Sequence, residues 1–362
     1  MPSSEAAIQH DVPLSPLSTL GVGGAARAFI RAETRSDVTA AHAWAAEHRM
    51  DMFVLGGGSN LVIADEGFSG LVLQIGLRGT TFADSTLIRA SAGDVWDDVV
   101  AGAVAGGLTG IECLSGIPGS VGGTPIQNVG AYGQDVSETI EEVTVFDRSE
   151  GRMATLTREA CEFSYRMSRF KSRDADRFIV CEVSFRLQHG VATPKYPDVI
   201  RYLDERRIVS PDVGDLRQAV LAIRRRKGMV LDPSDTDTRS VGSFFMNPVV
   251  PVDAQHRVSS IAGERAPVFA VDAVRVKLPA AWLIERAGFC KGFADGPVAI
   301  STKHPLALVN RGGATARDVL RLARRIKEQV ADRFGVWLVP EPIFVGFNHD
   351  PDVEYLRATP PR

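Results

Sequence analysis

No apolar run in this 362-residue sequence reaches the roughly 20 residues that a bilayer-spanning helix needs, so an integral membrane protein of that kind is excluded. The formal net charge is only −3, and the basic excess of a general nucleic-acid or membrane-surface binder is missing. Cysteine is scarce and scattered: Cys113, Cys161, Cys181 and Cys290 form no CxxC pair, which argues against a disulfide framework and a zinc cluster. The seven histidines also lack ligand spacing; His42 and His48 lie six apart, on different faces of a helix. There is no Walker A sequence, no internal repeat and no low-complexity segment. The stretch Met1 to Pro16 carries no charged-then-apolar secretory pattern. These absences leave a cytoplasmic, enzyme-sized protein without metal, nucleic-acid or membrane partners as the expectation.

What is present is an ordinary globular composition, 44% hydrophobic and 23% charged, on a chain long enough for two or three domains. Residues 36 to 48 predict a helix capped by Ser36, with Val38, Ala41 and Ala45 inward. Short strands are expected at Met52 to Leu55, Leu61 to Ala64, Gly70 to Ile75, Leu87 to Ala92, Glu142 to Asp147 and Phe178 to Leu187, with a helix near Val95 to Gly106. Asp215 to Lys227 reads as a helix stopped by Gly228. The strongest helical signal is the last. Thr315 caps it, Asp318 follows three residues on, and Val319, Leu322, Ile326, Val330 and Phe334 form one apolar stripe before Gly335. An apolar strand from Val336 to Gly346 and a disordered Pro-rich tail after Asp350 complete the expectation.

Two glycine-rich segments bear on chemistry. Gly21-Val22-Gly23-Gly24-Ala25-Ala26 fits a dinucleotide fingerprint on paper, but prolines precede it and a strand-like Ala28-Phe29-Ile30 follows, so it reads as a turn. Leu55-Gly56-Gly57-Gly58-Ser59-Asn60 can bring backbone close to a pyrophosphate, with amides and two short side chains as donors. On that motif alone, a plain turn between strands is an equally good reading. The stretch from Ser115 to Gly133 shifts the balance, with six glycines and two prolines interleaved with hydroxyls and amides. It is too apolar for a solvated linker and too glycine-rich for a regular element. Two such loops on adjoining small α/β units suit an extended dinucleotide such as FAD.

The two loops resemble those of vanillyl-alcohol-oxidase-type (PCMH-type) FAD-binding domains. The run Ile117-Pro118-Gly119-Ser120-Val121-Gly122, continued by Gln127-Asn128-Val129-Gly130-Ala131-Tyr132-Gly133, more narrowly resembles the UDP-N-acetylenolpyruvoylglucosamine reductase (MurB) family. Three further stretches match that family in order: Phe163 to Lys171, Gly242 to Pro248, and Val336 to Glu341. The likeness covers about Leu17 to Gly346. It implies an α+β fold: a two-subdomain FAD-binding part, 17–77 (completed by 335–350) and 78–212, plus a C-terminal α+β substrate-binding domain, 213–334.

The resemblance also implies FAD and NADPH as cofactors, a UDP-sugar as substrate and a monomeric state. In the family, hydride from the reduced flavin N5 adds to an enolpyruvyl ether, in a ping-pong sequence. Charge then develops on the neighbouring carbon and carboxylate, which calls for a fixed cation, a neutral acid and a proton donor. By resemblance these are Arg166, Glu341 and Ser243. Arginine suits a carboxylate because its planar fork keeps its charge; by itself, an arginine in this context reads as a surface ion pair. Glu341 sits in the apolar run Val336 to Phe344, where desolvation favours a protonated carboxyl, although a strand-end carboxylate facing solvent is the plain alternative. A serine beside glycine is ordinarily a turn residue, so the Ser243 role rests on the family match.

Cofactor contacts are expected at Gly56, Gly57, Gly58, Ser59, Asn60, Pro118, Gly119, Ser120, Gly123, Thr124, Gln127, Gly130, Ala131 and Tyr132. Substrate contacts are expected at Tyr165, Tyr196, Lys227, Asn247 and Lys277, although Arg224 to Lys227 are also the cations any helix end favours. One departure stands out: Phe269 falls where a branch of the family places a loop tyrosine, which keeps an aromatic face and loses a hydroxyl. An alcohol oxidase on the same FAD domain would leave Ser243 and Glu341 unexplained. A non-catalytic flavin-binding protein would not need Arg166, Ser243 and Glu341. A hydrolase is disfavoured because Pro118-Gly119-Ser120-Val121-Gly122 lacks the first glycine of a nucleophile elbow.

Overall fold

Residues 8–190 and 193–359 are described by the computed structural model, so Met1 to Ala7 and the last three residues of the tail lie outside the described residues. Backbone packing divides the chain into two units, one made of Ala26–Gly58 and Ser69–Val230 with the N-terminal segment through Val12, the other of Pro13–Ala25, Ser59–Phe68 and everything from Leu231 onward. The fold is α+β. Among the described residues no helix is long and apolar enough to cross a membrane, and no cluster of three His, Cys, Asp or Glu side chains could hold a metal.

The first unit is built on two sheets. One orders its strands Gln9–Pro13, Ala25–Ala32, Phe68–Ile75 and Met52–Leu55, with the last two parallel. The other is antiparallel, in the order Arg152–Thr157, Ile140–Asp147, Phe178–Arg186, Leu87–Ser91 and Thr80–Phe82. Ile30, Trp44 and Leu73 from the first half and Trp96, Val143 and Phe185 from the second share one buried core. Helix Arg35–Glu47 covers the first sheet through Val38, Ala41, Trp44 and Ala45. Its cap is Thr34 and not Ser36: the Thr34 hydroxyl accepts the Asp37 amide while the Asp37 carboxylate accepts the Thr34 amide, which saturates two donors at once. Helices Pro197–Glu205 and Val213–Arg226 pack on each other around Val199, Leu203, Leu216 and Val220. The second of these starts two residues before the expected Asp215, because Asp212 and Asp215 form the same reciprocal cap.

The second unit is organised by the 19-residue helix Ala316–Phe334, capped by Thr315 and Asp318 and closed by Gly335 in the left-handed region, as the sequence predicts. Its stripe packs against the antiparallel strands Val298–Ile300 and Leu308–Asn310 and helices Val252–Ala262 and Ala280–Arg286. Two expectations fail here. The long strand from Val336 shrinks to Ile343–Val345, paired in parallel with Leu61–Ile63, because Pro340 and Pro342 have no N–H to give a ladder. The start of the tail expected to be disordered is instead ordered: Pro351–Arg357 is a helix, with Asp350 accepting the amides of Asp352 and Val353.

That short helix exists because its far end is also satisfied. Lys327, fully buried, donates from Nζ to the carbonyls of Tyr355, Leu356 and Ala358 at 2.9, 2.7 and 2.6 Å. Burial lowers its pKa to about 8. Replacing Lys327 by Met strands three terminal carbonyls, at a cost of about 1–3 kcal/mol. The expected result is faster hydrogen exchange at the Glu354 and Ala358 amides, with the exchange of helix Ala316–Phe334 unchanged.

Candidate functional site

In the first unit the two glycine loops lie against one another. A Cβ on Gly57 would fall 2.6 Å from Gly119 Cα, and one on Gly56 would fall 2.8 Å from Ser120 Oγ. Only bare backbone permits this approach. The second loop is moored to the strand and helix before it. Trp96 donates to the Gly119 carbonyl, Val121 to Asp94 and Gly122 to Ala92, at 3.1, 2.9 and 2.8 Å. The Ser120 hydroxyl is buried without a hydrogen-bond partner among the described residues. A buried, unpaired hydroxyl between two glycine loops is what a dinucleotide-binding cradle needs, so the residues fit FAD.

The other expected cofactor residues divide. Gly123 is open, with nothing near the place of a Cβ. The Thr124 hydroxyl is spent on the Val121 carbonyl at 2.8 Å. Asn60 falls in the second unit, where Nδ2 reaches the Glu341 carbonyl at 3.3 Å and its own carbonyl accepts Ile343 N–H at 3.0 Å. Ala131 pairs with Gln134 across a two-residue turn made by Tyr132 (φ 50°) and Gly133 (φ 87°). That turn presents the Tyr132 ring edge-on to Tyr196, with centroids 5.2 Å apart, and under Lys227 Nζ at 5.7 Å. Lys227 is itself paired with Asp198 at 3.0 Å. Thus Tyr132, expected at the cofactor, and Tyr196 and Lys227, expected at the substrate, form one cluster. Burial chiefly pushes the Tyr132 hydroxyl up, to about 12.

Two residues beside the glycine loop are not among the expected cofactor or substrate contacts. Asp97 Oδ1 accepts both the Gly116 amide and Arg217 Nη1 at 2.6 Å, and Arg217 Nη2 closes the fork on Oδ2 at 2.9 Å. Arg224 donates to the Met229 carbonyl at 2.7 Å, while its Nε is sealed off without a partner among the described residues, and burial lowers its pKa. Only helix geometry places these side chains at the loop.

Arg166 occupies the third position of a tight turn closed by Ser164 N–H to Met167 O (2.9 Å) and Met167 N–H to Ser164 O (3.1 Å). Its φ of 55° is a conformation that costs a non-glycine residue energy and is often kept at functional positions. The guanidinium donates from Nη1 to Asn128 O and Asp135 Oδ1 at 3.3 and 3.4 Å, and from Nη2 to Gly130 O at 2.5 Å. Asn128, buried and absent from the expected set, locks the turn by donating Nδ2 to Ser164 O at 3.0 Å while its Oδ1 accepts Ser137 N–H at 3.1 Å. Tyr165, in the same turn, stands exposed with the Arg166 guanidinium 5.3 Å from its ring.

In the second unit the segments of Ser243 and Glu341 are stitched together. Phe245 and Pro340 form an antiparallel bridge, flanked by Glu341 N–H to Phe244 O and Met246 N–H to Val339 O, both 2.9 Å. Phe244 and Phe245, fully buried, anchor one side, and Glu341, itself partly buried, lies between the buried Pro340 and Pro342. Asn247, expected at the substrate, spends Oδ1 on the Ala280 amide at 2.8 Å, at the start of helix Ala280–Arg286. Lys277 pairs with Phe269 across a strand ladder and holds Nζ 5.8 Å from its half-exposed ring.

A mixed α+β unit with this paired glycine cradle is a flavoenzyme scaffold, and the comparisons agree. A family profile described as "FAD binding domain" matches residues 26–157, and one described as "UDP-N-acetylenolpyruvoylglucosamine reductase, C-terminal domain" matches 232–345. The UDP-N-acetylenolpyruvoylglucosamine reductase of Thermobifida fusca is 48% identical over 349 residues, 93% of this chain and 98% of that protein. That of Mycobacterium tuberculosis (strain H37Rv) is 48% identical over 353 residues, 94% and 95% of the two chains. The crystal structure of the enzyme (MurB) from Thermus caldophilus superposes with a TM-score of 0.66 at 28% identity, covering 93% of this chain and 98% of that one. The chain belongs to the UDP-N-acetylenolpyruvoylglucosamine reductase family and is an oxidoreductase with a PCMH-type FAD-binding domain.

Gly57→Ala puts a methyl into the Gly119 backbone, and the purified variant is expected to lose the yellow of retained flavin while its far-UV circular dichroism stays that of the parent. For Asp97, burial is the largest influence and pushes the carboxyl up. Hydrogen bonds from Arg217 and the Gly116 amide, with the charges of Arg217 and Arg224, together bring it below the ordinary 3.8. A depressed folded value means its contribution is complete above the unfolded value and fades as pH falls through the folded one. Asp97→Asn is expected to cost about 1–3 kcal/mol at neutral pH. Thermal scans should show that gap closing as the pH drops below about 4.

Proposed function

We propose that this protein reduces the enolpyruvyl ether of UDP-N-acetylglucosamine to UDP-N-acetylmuramate, in the cytoplasm, as a step of peptidoglycan precursor synthesis. The reductant is NADPH, and NADPH and the UDP-sugar enter in alternation. FAD, when bound in the glycine cradle, supplies the hydride chemistry. Support comes from near-full-length likeness to named reductases, and from one structural observation above the others: the backbone bridge that sets the Ser243 and Glu341 segments side by side.

In this reading the protein's own residues handle charge and protons. The Arg166 guanidinium, oriented by Asn128, Gly130 and Asp135, holds the enolpyruvyl carboxylate. Ser243 carries the proton delivered to the carbon next to that carboxylate, and Gly242 (φ 77°) gives its segment the turn that starts the bridge. Glu341, between two buried prolines, acts as a neutral acid sharing the developing charge. Tyr196, Lys227, Tyr165, Lys277 and the Asn247 amide nitrogen bind the UDP-sugar. Residues 17–77, completed by 335–350, and 78–212 form the FAD-binding part, which also lends Tyr165, Arg166 and Tyr196 to the sugar; 213–334 form the substrate-binding domain, and the enzyme works as a monomer.

Ser243→Ala is the sharpest test. Stopped-flow flavin reduction by NADPH should stay near the parental rate, while reoxidation by the UDP-enolpyruvyl sugar slows by roughly 100-fold or more. Equal slowing of both halves would remove Ser243 from the proton step. A parent that is reoxidised no faster with the sugar than by oxygen alone would overturn the proposed reaction.

A further inference from the structure

We infer that Asp135 is a positioning residue that sets the orientation of the Arg166 guanidinium, and that residue 130 is glycine to leave room for this pair. The inference rests on the carboxylate-binding role proposed above for Arg166. Three observations within one unit carry it. The Asp135 carboxylate meets Arg166 Nη1 at 3.4 Å, on the nitrogen that also donates to Asn128 O. Asp135 is the backbone partner of Gly130 across the Tyr132-Gly133 turn, so the hairpin register itself delivers the carboxylate to the guanidinium. A Cβ on Gly130 would sit 1.6 Å from Asp135 Oδ1 and 2.9 Å from Arg166 Nη1. The space that any side chain at position 130 would fill is occupied by the ion pair.

Magnitudes argue that the pair is kept for orientation and not for folding. Side-chain exposure is 18% for Arg166 but 43% for Asp135, and an ion pair so open to water stabilises a fold by only about 0–1 kcal/mol. Arg166 meanwhile holds a left-handed backbone that costs about 1–3 kcal/mol. A pair that weak does not offset that strain. It does remove one rotational choice from a long side chain that also donates to the neutral carbonyls of Asn128 and Gly130. The carbonyls fix where the guanidinium lies; the carboxylate fixes which edge it turns toward them.

The test compares Asp135→Asn with Asp135→Glu. Asn keeps the shape and loses the charge, whereas Glu keeps the charge and strains the shape. Under the positioning role, Asp135→Asn slows reoxidation by the UDP-enolpyruvyl sugar by roughly 10-fold, leaves NADPH-driven flavin reduction within twofold, and Asp135→Glu recovers most of the loss. A packing role gives the opposite order, with Asn tolerated and Glu not, and that order would overturn the inference. Gly130→Ala, which expels the carboxylate with both charges intact, should slow the same half-reaction, and should add less to Asp135→Ala than to the parent. Arginine side-chain NMR supplies a readout that does not depend on the reaction. The Arg166 Nε–H signal, assigned through Arg166→Lys, should be ordered in the parent and motionally averaged in Asp135→Asn. Equal order in both variants would sink the idea even if the sugar proved not to be the substrate.

Discussion

Two stretches of backbone come as close as Gly57 and Gly119 only when neither carries a side chain, and the first unit is arranged around that approach. The strand Met52–Leu55 delivers one loop. Helix Trp96–Ala105 and the strand Leu87–Ser91 moor the other, through the Trp96 amide and the carbonyls of Ala92 and Asp94. A methyl group at either contact would push the loops apart and leave the buried Ser120 hydroxyl in a gap of the wrong shape. Asp97 extends the same logic one layer outward: its carboxylate ties the start of the glycine loop to Arg217 on helix Val213–Arg226. The cradle is thus defined by what is absent from its surface and by polar groups behind it.

Polar satisfaction decides local structure throughout the chain. Helices Arg35–Glu47, Val213–Arg226 and Ala316–Phe334 each begin with a reciprocal cap in which an aspartate three residues on returns a bond to the capping residue. The helix Pro351–Arg357 is short enough to be unstable alone, and it forms because Asp350 serves its amides and buried Lys327 its carbonyls. The same accounting explains why Val336 to Pro342 is not a strand. Two prolines cannot donate, so only the Phe245–Pro340 bridge and the pair Ile343–Val345 remain.

The candidate site follows a different economy. Asn128, Tyr132 and Arg166 all have positive φ without being glycine, and all three lie between residues 128 and 166 around a single pair of turns. Asn128 links the turns, donating its amide to Ser164 and accepting from Ser137. Strain of this kind persists where surrounding bonds over-determine the backbone, and here those bonds aim a guanidinium and a tyrosine ring. Arg166 does form an ion pair, with Asp135, and the carbonyls of Asn128 and Gly130 on the same loop hold it as well.

The long helix with its cap and stop, the two glycine loops and the family itself were legible in the sequence. Capping, periodicity and ordered motifs are local patterns, and a linear reading captures local patterns. Asp97 and Asp135 were not legible, because each is an ordinary polar residue whose meaning comes from a partner far along the chain, and Asn128 and Arg224 were visible only as part of a motif and as a helix-end cation. The helical tail was misread for the same reason: its cap, Lys327, stands 24 residues before Pro351. By itself the sequence determined which segments could be helix, strand or bare loop, since backbone freedom and side-chain periodicity are properties of neighbours. Tertiary structure alone decided which carboxylate meets which guanidinium and which hydroxyl is left buried and unpaired, because those depend on distances that folding creates.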